Sequence, residues 1–116
     1  SKIHRYVTND LTVRASSVDA TEVVAEMQRL HNSFPLATVG VGKAMVGALL
    51  LASQLKDKQK VAVICGNGAL KSIYAEADFE GHVRAYTPNP EYQPQSYEAG
   101  LTLSQALGRG TLSVSR

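Results

Sequence analysis

The feature that most constrains this chain is a long apolar stretch, Leu36–Leu55, that directly follows Ser33-Phe34-Pro35. A serine can cap the free N–H groups of a helix and proline is tolerated in the first turn, so a helix is predicted to begin here and to end near Leu55. The stretch is apolar on nearly all sides, which is typical of a helix buried in a domain or covered by a partner chain. Lys43 lies inside it and would be costly in lipid, so we predict no membrane span.

The residues before this helix predict a hairpin and a shorter helix. β-prone residues stand on both sides of Asn9-Asp10, a pair that tolerates the positive φ angles of a tight turn. Asp19 then stands three residues before Glu22, a spacing typical of a capping box. The apolar residues that follow lie on one helical face, so an amphipathic helix ending near Asn32 is predicted.

After the long helix the hydrophobic period changes to two, which predicts strands. In Lys60–Cys65 both faces are apolar, so both are predicted to be buried. Gly66-Asn67-Gly68 and Glu80-Gly81 are typical turns, and they separate further strands at 72–78 and 82–87. The segment is therefore predicted to be an antiparallel meander.

The last part of the sequence predicts a loop, a short helix and a strand. Three prolines between residues 88 and 94 exclude a central strand, since proline lacks the ladder N–H. Residues 101–107 form a plausible short helix that stops at Gly108, and residues 111–116 alternate as a strand. No turn, cap or polar tail follows that strand, so we expect the chain to be a fragment, or the ordered portion, of something longer. The predicted fold class is α/β of the α+β type: a mainly antiparallel sheet with one long buried helix and one amphipathic helix.

Composition narrows the class of protein further. The chain has 116 residues, of which 44% are hydrophobic and 19% charged, as expected for a soluble globular domain. Its net charge of +2 is mild and its Lys and Arg residues are scattered, which argues against DNA binding. A single cysteine, Cys65, allows no internal disulfide, and no secretory leader opens the sequence. These features predict a reducing, cytoplasmic location.

Catalytic and metal-binding patterns are weak throughout. Gly66-Asn67-Gly68 with Lys71 matches neither the dinucleotide fingerprint nor the P-loop, and Ser104 lies in no nucleophile elbow. The carboxylates of Glu76, Asp78 and Glu80 alternate along a strand end, where a solvated sheet face explains them more simply than acid–base catalysis. We therefore predict no enzyme activity and no catalytic residue.

The remaining candidates for a metal site are isolated in the sequence. The three histidines, His4, His31 and His82, have no partner at a metal-ligand spacing, so no metal site is predicted in this chain. The apolar neighbours of Cys65 predict structural burial and a raised pKa rather than a reactive thiol.

An alternative function class is a sheet-based RNA-binding module. Tyr74, Tyr86 and Arg84 all fall on predicted strands, where aromatic and basic groups can stack on and clamp single-stranded RNA. Apart from the mild positive charge, nothing else in the sequence favours this alternative.

Five segments, taken in order, resemble the heat shock protein 33 family of bacterial redox-regulated chaperones. The two longest are residues 31–35 running into the helix that ends in Ala52-Ser53-Gln54-Leu55-Lys56, and Gly81–Pro90. The others are His4-Arg5-Tyr6 with Val13-Arg14, Val61–Ile64 leading into Gly66-Asn67-Gly68, and Gly110–Val114. The resemblance therefore covers nearly the whole chain.

This resemblance implies a stress-response protein that protects protein folding as an ATP-independent holdase. It implies that residues 1–116 are the N-terminal part of a core domain, here incomplete, and that a C-terminal domain follows in which four cysteines hold zinc. Oxidation to disulfides releases the zinc and exposes apolar surface to unfolded client proteins. The resemblance also implies a homodimer. Neither cysteine pair of that redox domain is present here, so zinc and redox sensing are expected outside this chain, and the client-binding residues stay unknown.

Overall fold

A computed structural model of the chain describes residues 2–56, 58–93, 107–108 and 112–115. Among these residues there are two complete helices and six strands in two antiparallel sheets, so the α+β prediction is confirmed. In chain order the elements are β1 (Lys2–Val7), β2 (Arg14–Asp19), α1 (Thr21–His31), α2 (Pro35–Ala52), β3 (Lys60–Cys65), β4 (Ile73–Asp78), β5 (Val83–Tyr86) and β6 (Ser113–Ser115).

The core lies between α2 and one face of the four-stranded sheet, whose strand order is β5-β4-β3-β6. The inner face of β4 presents Ile73, Ala75 and Ala77, all of which are almost fully buried. From α2, Val41, Met45 and Leu49 fill the other side of this core. Because small residues alternate along β4, the helix lies close to the strand, and the apolar stripe of α2 is packed at this interface.

Two of the three glycines of α2 mark close approaches to other elements. A Cβ added at Gly40 would stand 2.9 Å from Leu70 Cδ1, and one added at Gly42 would stand 3.1 Å from Val24 Cγ1 of α1. An added Cβ at Gly47 would meet no atom within 4 Å in the described part of the chain. Gly40 and Gly42 therefore let neighbouring elements pack against the helix, whereas Gly47 faces open space among the described residues.

The predicted N-terminal hairpin is confirmed, but its loop is longer than a tight turn. β1 and β2 pair from Lys2↔Asp19 to Val7↔Arg14, so the loop comprises six residues, 8–13. Asp10 holds this loop, since its Oδ1 accepts hydrogen bonds from the hydroxyls of Thr8 (2.6 Å) and Thr12 (2.7 Å). These side-chain bonds stabilise a wider loop than the Asn-Asp pair alone predicts.

The two helices begin differently from the prediction. Asp19 is the last residue of β2, and the cap of α1 is Ala20, so the predicted capping box is wrong. The cap of α2 is Phe34 in an extended conformation, while the hydroxyl of Ser33 lies 2.7 Å from that of Thr38 instead. Asp19 still bonds at the start of α1, since its carboxylate accepts the N–H of Thr21 (3.1 Å), but each helix begins one residue later than the predicted cap requires.

The ends of both helices are set by their last turns. α1 ends before Asn32, as predicted. Asn32 adopts the left-handed conformation with φ 50°, which is common just after a helix. α2 ends at Ala52 rather than Leu55, because the N–H of Leu55 bonds to the carbonyl of Ala52 in a tighter turn. α2 has the length and hydropathy of a membrane span, and 56% of its residues are buried in this structure, as in the core helix of a soluble protein.

The meander is confirmed, with one correction to its faces. Val61 and Val63 of β3 are buried, but Ile64 on the opposite face is 43% exposed, so the prediction that both faces are buried is wrong. The reason is that α2 covers one side of the sheet and no described element covers the other. β6 pairs with β3, which confirms a strand within residues 111–116.

The Gly66-Asn67-Gly68 turn is part of a longer connection between β3 and β4, in which both Asn67 and Gly68 donate backbone hydrogen bonds to the carbonyl of Leu107. This loop is held by a later part of the chain, so it is not the tight hairpin turn that the sequence predicts. Leu107 is helical and Gly108 has φ +69°, as expected for a helix stop. The rest of the predicted helix at 101–107 and Ser104 lie outside the described residues.

Candidate functional site

Two of the acidic residues that the sequence singled out accept hydrogen bonds within the sheet and the turn after β4. Glu76 lies on the outer sheet face, where it accepts a hydrogen bond from the Tyr74 hydroxyl (2.7 Å). Asp78 ends β4 and accepts the backbone N–H groups of Glu80 (2.9 Å) and His82 (3.0 Å), while Glu80 itself lies in the turn. Glu76 and Asp78 therefore share the outer face of β4, as the sequence predicts, whereas Glu80 lies in the turn that follows, and the contacts of Glu76 and Asp78 are those of a polar sheet face.

The pKa shifts of these carboxylates follow from the same contacts. The Tyr74 hydroxyl, aided by Arg84 and Lys60, lowers the pKa of Glu76 below its ordinary value. Partial burial acts to raise the pKa of Asp78, but the hydrogen bonds from His82 outweigh it, and the pKa is lowered. Both groups are stabilised as carboxylates, so neither is prepared to donate a proton at neutral pH.

The residues of the RNA-binding alternative do come together on the outer sheet face. Tyr74 and Tyr86 are cross-strand partners with ring centroids 6.0 Å apart, and Arg84 stands beside them on β5. Glu76, however, lies between the two cations of this face, 3.5 Å from the Arg84 guanidinium and 3.6 Å from the Lys60 ammonium. The carboxylate offsets the positive charge that a phosphate backbone would need.

Neither the histidines nor the cysteine forms a metal site. Among the described residues no three His, Cys, Asp or Glu side chains lie close enough together to hold a metal ion. Cys65 is half-buried at the end of β3, and this burial raises the pKa of its thiol. A neutral, isolated thiol is a poor zinc ligand, so the residues present do not fit the zinc that the resemblance implies for the whole protein.

The structure shows where apolar side chains are exposed to solvent, which the sequence did not predict. One side of α2 is uncovered: Val39, Leu50 and Leu51 are 46%, 37% and 44% exposed. Between this side, α1 and the end of β2 lies an open groove of about 770 Å³. The sequence predicted α2 to be apolar all round but gave no sign of which side would stay uncovered.

A second apolar surface lies at the far end of the β1–β2 hairpin. Tyr6, Val7, Leu11 and Val13 are each more than half exposed there. The hairpin is held to the body by Arg5, whose Nε donates to the carbonyl of Ser53 (2.8 Å) and whose Nη2 donates to that of Phe79 (2.6 Å). The guanidinium also lies 4.1 Å from the centre of the Phe79 ring. This one side chain therefore joins the hairpin, the end of α2 and the β4–β5 turn.

Comparisons with known proteins agree on one family. The family model described as Hsp33 protein matches residues 1–116. The chain is 40% identical over 108 residues to the 33 kDa chaperonin of Bacillus subtilis and 36% identical over 107 residues to that of Symbiobacterium thermophilum, in each case over 90% of this chain. These matches cover 37% and 36% of the two relatives, so the chain spans little more than a third of their length.

A solved structure gives the same result for the fold. The crystal structure of the 33 kDa chaperonin (heat shock protein 33 homolog) from Thermotoga maritima superposes with a TM-score of 0.86 at 34% sequence identity. The match covers 97% of this chain and 39% of that one. Because the family model matches residues 1–116, the whole of this chain, the chain belongs to the Hsp33 family.

Proposed function

We propose that this chain forms the first part of the core of a molecular chaperone, an ATP-independent holdase that binds unfolding proteins and prevents their aggregation. The observation that carries the proposal is the match of the Hsp33 family model over residues 1–116. Exposed apolar surface in two places, the side of α2 and the end of the hairpin, is the property that such binding requires.

The same proposal includes regulation by redox state and assigns it to another part of the protein. Cys65 is half-buried with a raised pKa, which makes it unsuitable as a switch. Zinc and the disulfides would therefore be held by a cysteine-rich domain beyond this chain. A bacterial cytoplasmic location, a homodimer and the absence of enzyme activity belong to the same proposal, as do the absence of DNA and membrane partners.

Aggregation of a thermally unfolding client, measured by light scattering with the full-length protein, tests this function. Under oxidising heat stress the full-length protein should suppress scattering in proportion to its concentration, and it should do so without ATP. The reduced, zinc-loaded protein is the matched control and should suppress little. A full-length protein that fails to suppress scattering when oxidised would overturn the proposal.

RNA binding is the second candidate, favoured by the Tyr74–Tyr86 pair and Arg84 on one sheet face. Glu76 beside both cations of that face weakens it. Binding of single-stranded RNA at low salt, lost on Tyr86→Ala and falling steeply as salt rises, would support this alternative. Lack of binding at low salt would remove it.

A further inference from the structure

We propose that Asn67-Gly68 is a site of spontaneous deamidation, and that the contact of this pair with Leu107 and Gly108 sets the rate of the reaction. Asparagine followed by glycine is the sequence in which this reaction is fastest, because no side chain on the glycine hinders its nitrogen. Neither the holdase function nor the RNA-binding alternative uses this turn. The inference therefore goes beyond the proposed function and does not rest on it.

The reaction consumes water and releases ammonia. The backbone nitrogen of Gly68 loses its proton to base and attacks Cγ of Asn67. A new C–N bond forms, the C–N bond of the carboxamide breaks, and its nitrogen takes up a proton and leaves as ammonia. Water then opens the cyclic imide: attack at the side-chain carbonyl gives aspartate, and attack at the backbone carbonyl gives isoaspartate, in which the chain continues through the side chain. No atom is oxidised or reduced.

The sequence makes Asn67 the most reactive of the four asparagines in the chain. Asn89 precedes Pro90, whose nitrogen carries no hydrogen and cannot form the imide. Asn9 and Asn32 are followed by an aspartate and a serine, whose side chains hinder attack by the backbone nitrogen. Asn67 is also exposed, so water and base reach it from solvent.

The folded structure restrains the nitrogen that must attack. The N–H of Gly68 donates to the carbonyl of Leu107 (3.0 Å), and the N–H of Asn67 donates to the same oxygen (2.9 Å). Gly66 has φ +87°, and a Cβ added there would stand 3.2 Å from this oxygen, so glycine lets the turn close around it. A bonded N–H keeps its proton and its direction. The reaction therefore proceeds from an open form in which this contact is broken.

Gly108 lies directly against both reacting groups. It has φ +69°, and a Cβ added there would stand 2.6 Å from the nitrogen of Gly68 and 2.9 Å from Oδ1 of Asn67. Leu107 in turn packs on the core, since a Cβ added at Gly40 of α2 would stand 3.5 Å from its Cδ2. Packing of Leu107 on α2 therefore controls how often the Asn67-Gly68 pair is free to react.

The product should weaken the contact that slows its own formation. Isoaspartate inserts an additional carbon atom into the backbone before Gly68, so the two neighbouring N–H groups no longer fit one carbonyl oxygen. Either product also carries a negative charge against Gly108 where the amide of Asn67 is neutral. Deamidation should therefore release the connection between β3 and β4 from Leu107, and modified chains should stay open there.

Incubation of the full-length protein in heavy-oxygen water at mildly alkaline pH tests the site. Opening of the imide incorporates oxygen from water, so peptide mapping by mass spectrometry reports the reaction at each asparagine. In urea, label should appear at Asn67 before Asn9 or Asn32. In the folded protein Asn67 should still take up label, about 10- to 100-fold more slowly, because local opening limits it. Equal rates in both states, or no label at Asn67 in the folded protein, would overturn the inference.

Two variants test whether the contact controls the rate. Alanine in Gly108→Ala is strained at φ +69° and its Cβ would collide with Gly68, so the folded protein should deamidate about 3- to 10-fold faster. Leu107→Ala, which weakens the packing on α2, is the second variant if Gly108→Ala does not fold, and it should act in the same direction. Arg5→Ala loosens the hairpin elsewhere and should leave the rate within about 2-fold. Equal acceleration by the Arg5 variant would contradict control by this contact.

Hydrogen exchange of the separated isoaspartate form tests the consequence. The amides of residues 67 and 68 should exchange faster than in the unmodified protein, while those of β1 and β2 keep their rates. Unchanged protection of these two amides would show that the product keeps its bonds to Leu107, which contradicts the predicted release.

Discussion

The four-stranded sheet and the β1–β2 hairpin are attached to the rest of the protein in different ways. The sheet contacts α2 through side chains such as Leu49 and Ile73, both fully buried. The hairpin places Ile3 and Val18 against the core, and polar contacts of Arg5 and Ser16 attach it further. Apolar burial is non-directional and cooperative, whereas polar contacts depend on a few well-placed atoms. The hairpin should therefore open at a lower free energy than the sheet.

The largest effect is expected from Leu49→Ala, which removes a fully buried side chain from the interface of α2 with the sheet. Truncation of this kind leaves a cavity and costs about 2–5 kcal/mol of unfolding free energy. Hydrogen exchange of the full-length protein should show faster exchange throughout β3, β4 and β5. Leu50→Ala on the uncovered side of the same helix is the control and should cost well under half as much. Equal costs would contradict the assignment of the buried side.

Arg5→Ala should act on the hairpin and spare the sheet. It removes two hydrogen bonds from a charged donor and the contact with the Phe79 ring, for a cost of about 1–3 kcal/mol. Amides of β1 and β2 should exchange faster, while those of β4 keep their rates. Arg5→Lys should restore only part of the protection, since an ammonium cannot reach both carbonyls in the fixed geometry of a guanidinium. Uniform loss of protection across both sheets would show that the hairpin and the sheet open as one unit.

Gly47→Ala should stabilise the unit of α2 and the sheet without affecting the hairpin. An added Cβ meets no described atom within 4 Å, and alanine in a helix interior is favoured over glycine by about 0.5–1 kcal/mol. Gly42→Ala is the matched control: its Cβ would stand 3.1 Å from Val24 Cγ1, so α1 must yield and the gain should shrink or disappear. Thermal unfolding of the two variants should therefore rank Gly47→Ala above Gly42→Ala. The reverse order would contradict the open space at Gly47.

The smallest effect is expected from lowering the pH, which should destabilise the loop between β1 and β2. The hydroxyls of Thr8 and Thr12 and the N–H of Thr12 lower the pKa of Asp10 from 3.8 to about 2. A lowered pKa means that the loop is stabilised above about pH 4 and loses this contribution as the pH falls toward 2. Chemical shifts of Thr8 and Thr12 should move over that range in the wild type, and an Asp10→Asn variant should show no such transition. A midpoint near pH 4 would show that these hydrogen bonds do not form in solution.

The sequence predicted the helices and strands more reliably than the side-chain contacts at their ends. Apolar residues with a period of two predicted a strand at Lys60–Cys65, and that strand is present. A long stretch that is apolar on nearly all sides predicted a central helix, and α2 is that helix. The predicted caps at Asp19 and Ser33 were wrong, although both residues bond close to the helix starts: Asp19 accepts the N–H and the hydroxyl of Thr21, and the Ser33 hydroxyl lies 2.7 Å from that of Thr38. A residue pattern shows which polar groups stand near a helix start, but several local partners compete for each group, and the pattern does not say which partner it bonds.

The sequence by itself determined the family of this protein, the order of its elements and the absence of a cysteine cluster, because each of these is written in residue identity and spacing. Only the tertiary structure decided which side of α2 is covered, that Lys43 lies at an apolar groove without an ion pair to any described residue, and that Arg5 joins the hairpin to Ser53 and Phe79. Those contacts join residues up to 74 positions apart. They depend on how helix and sheet pack together, which no local pattern in the sequence specifies.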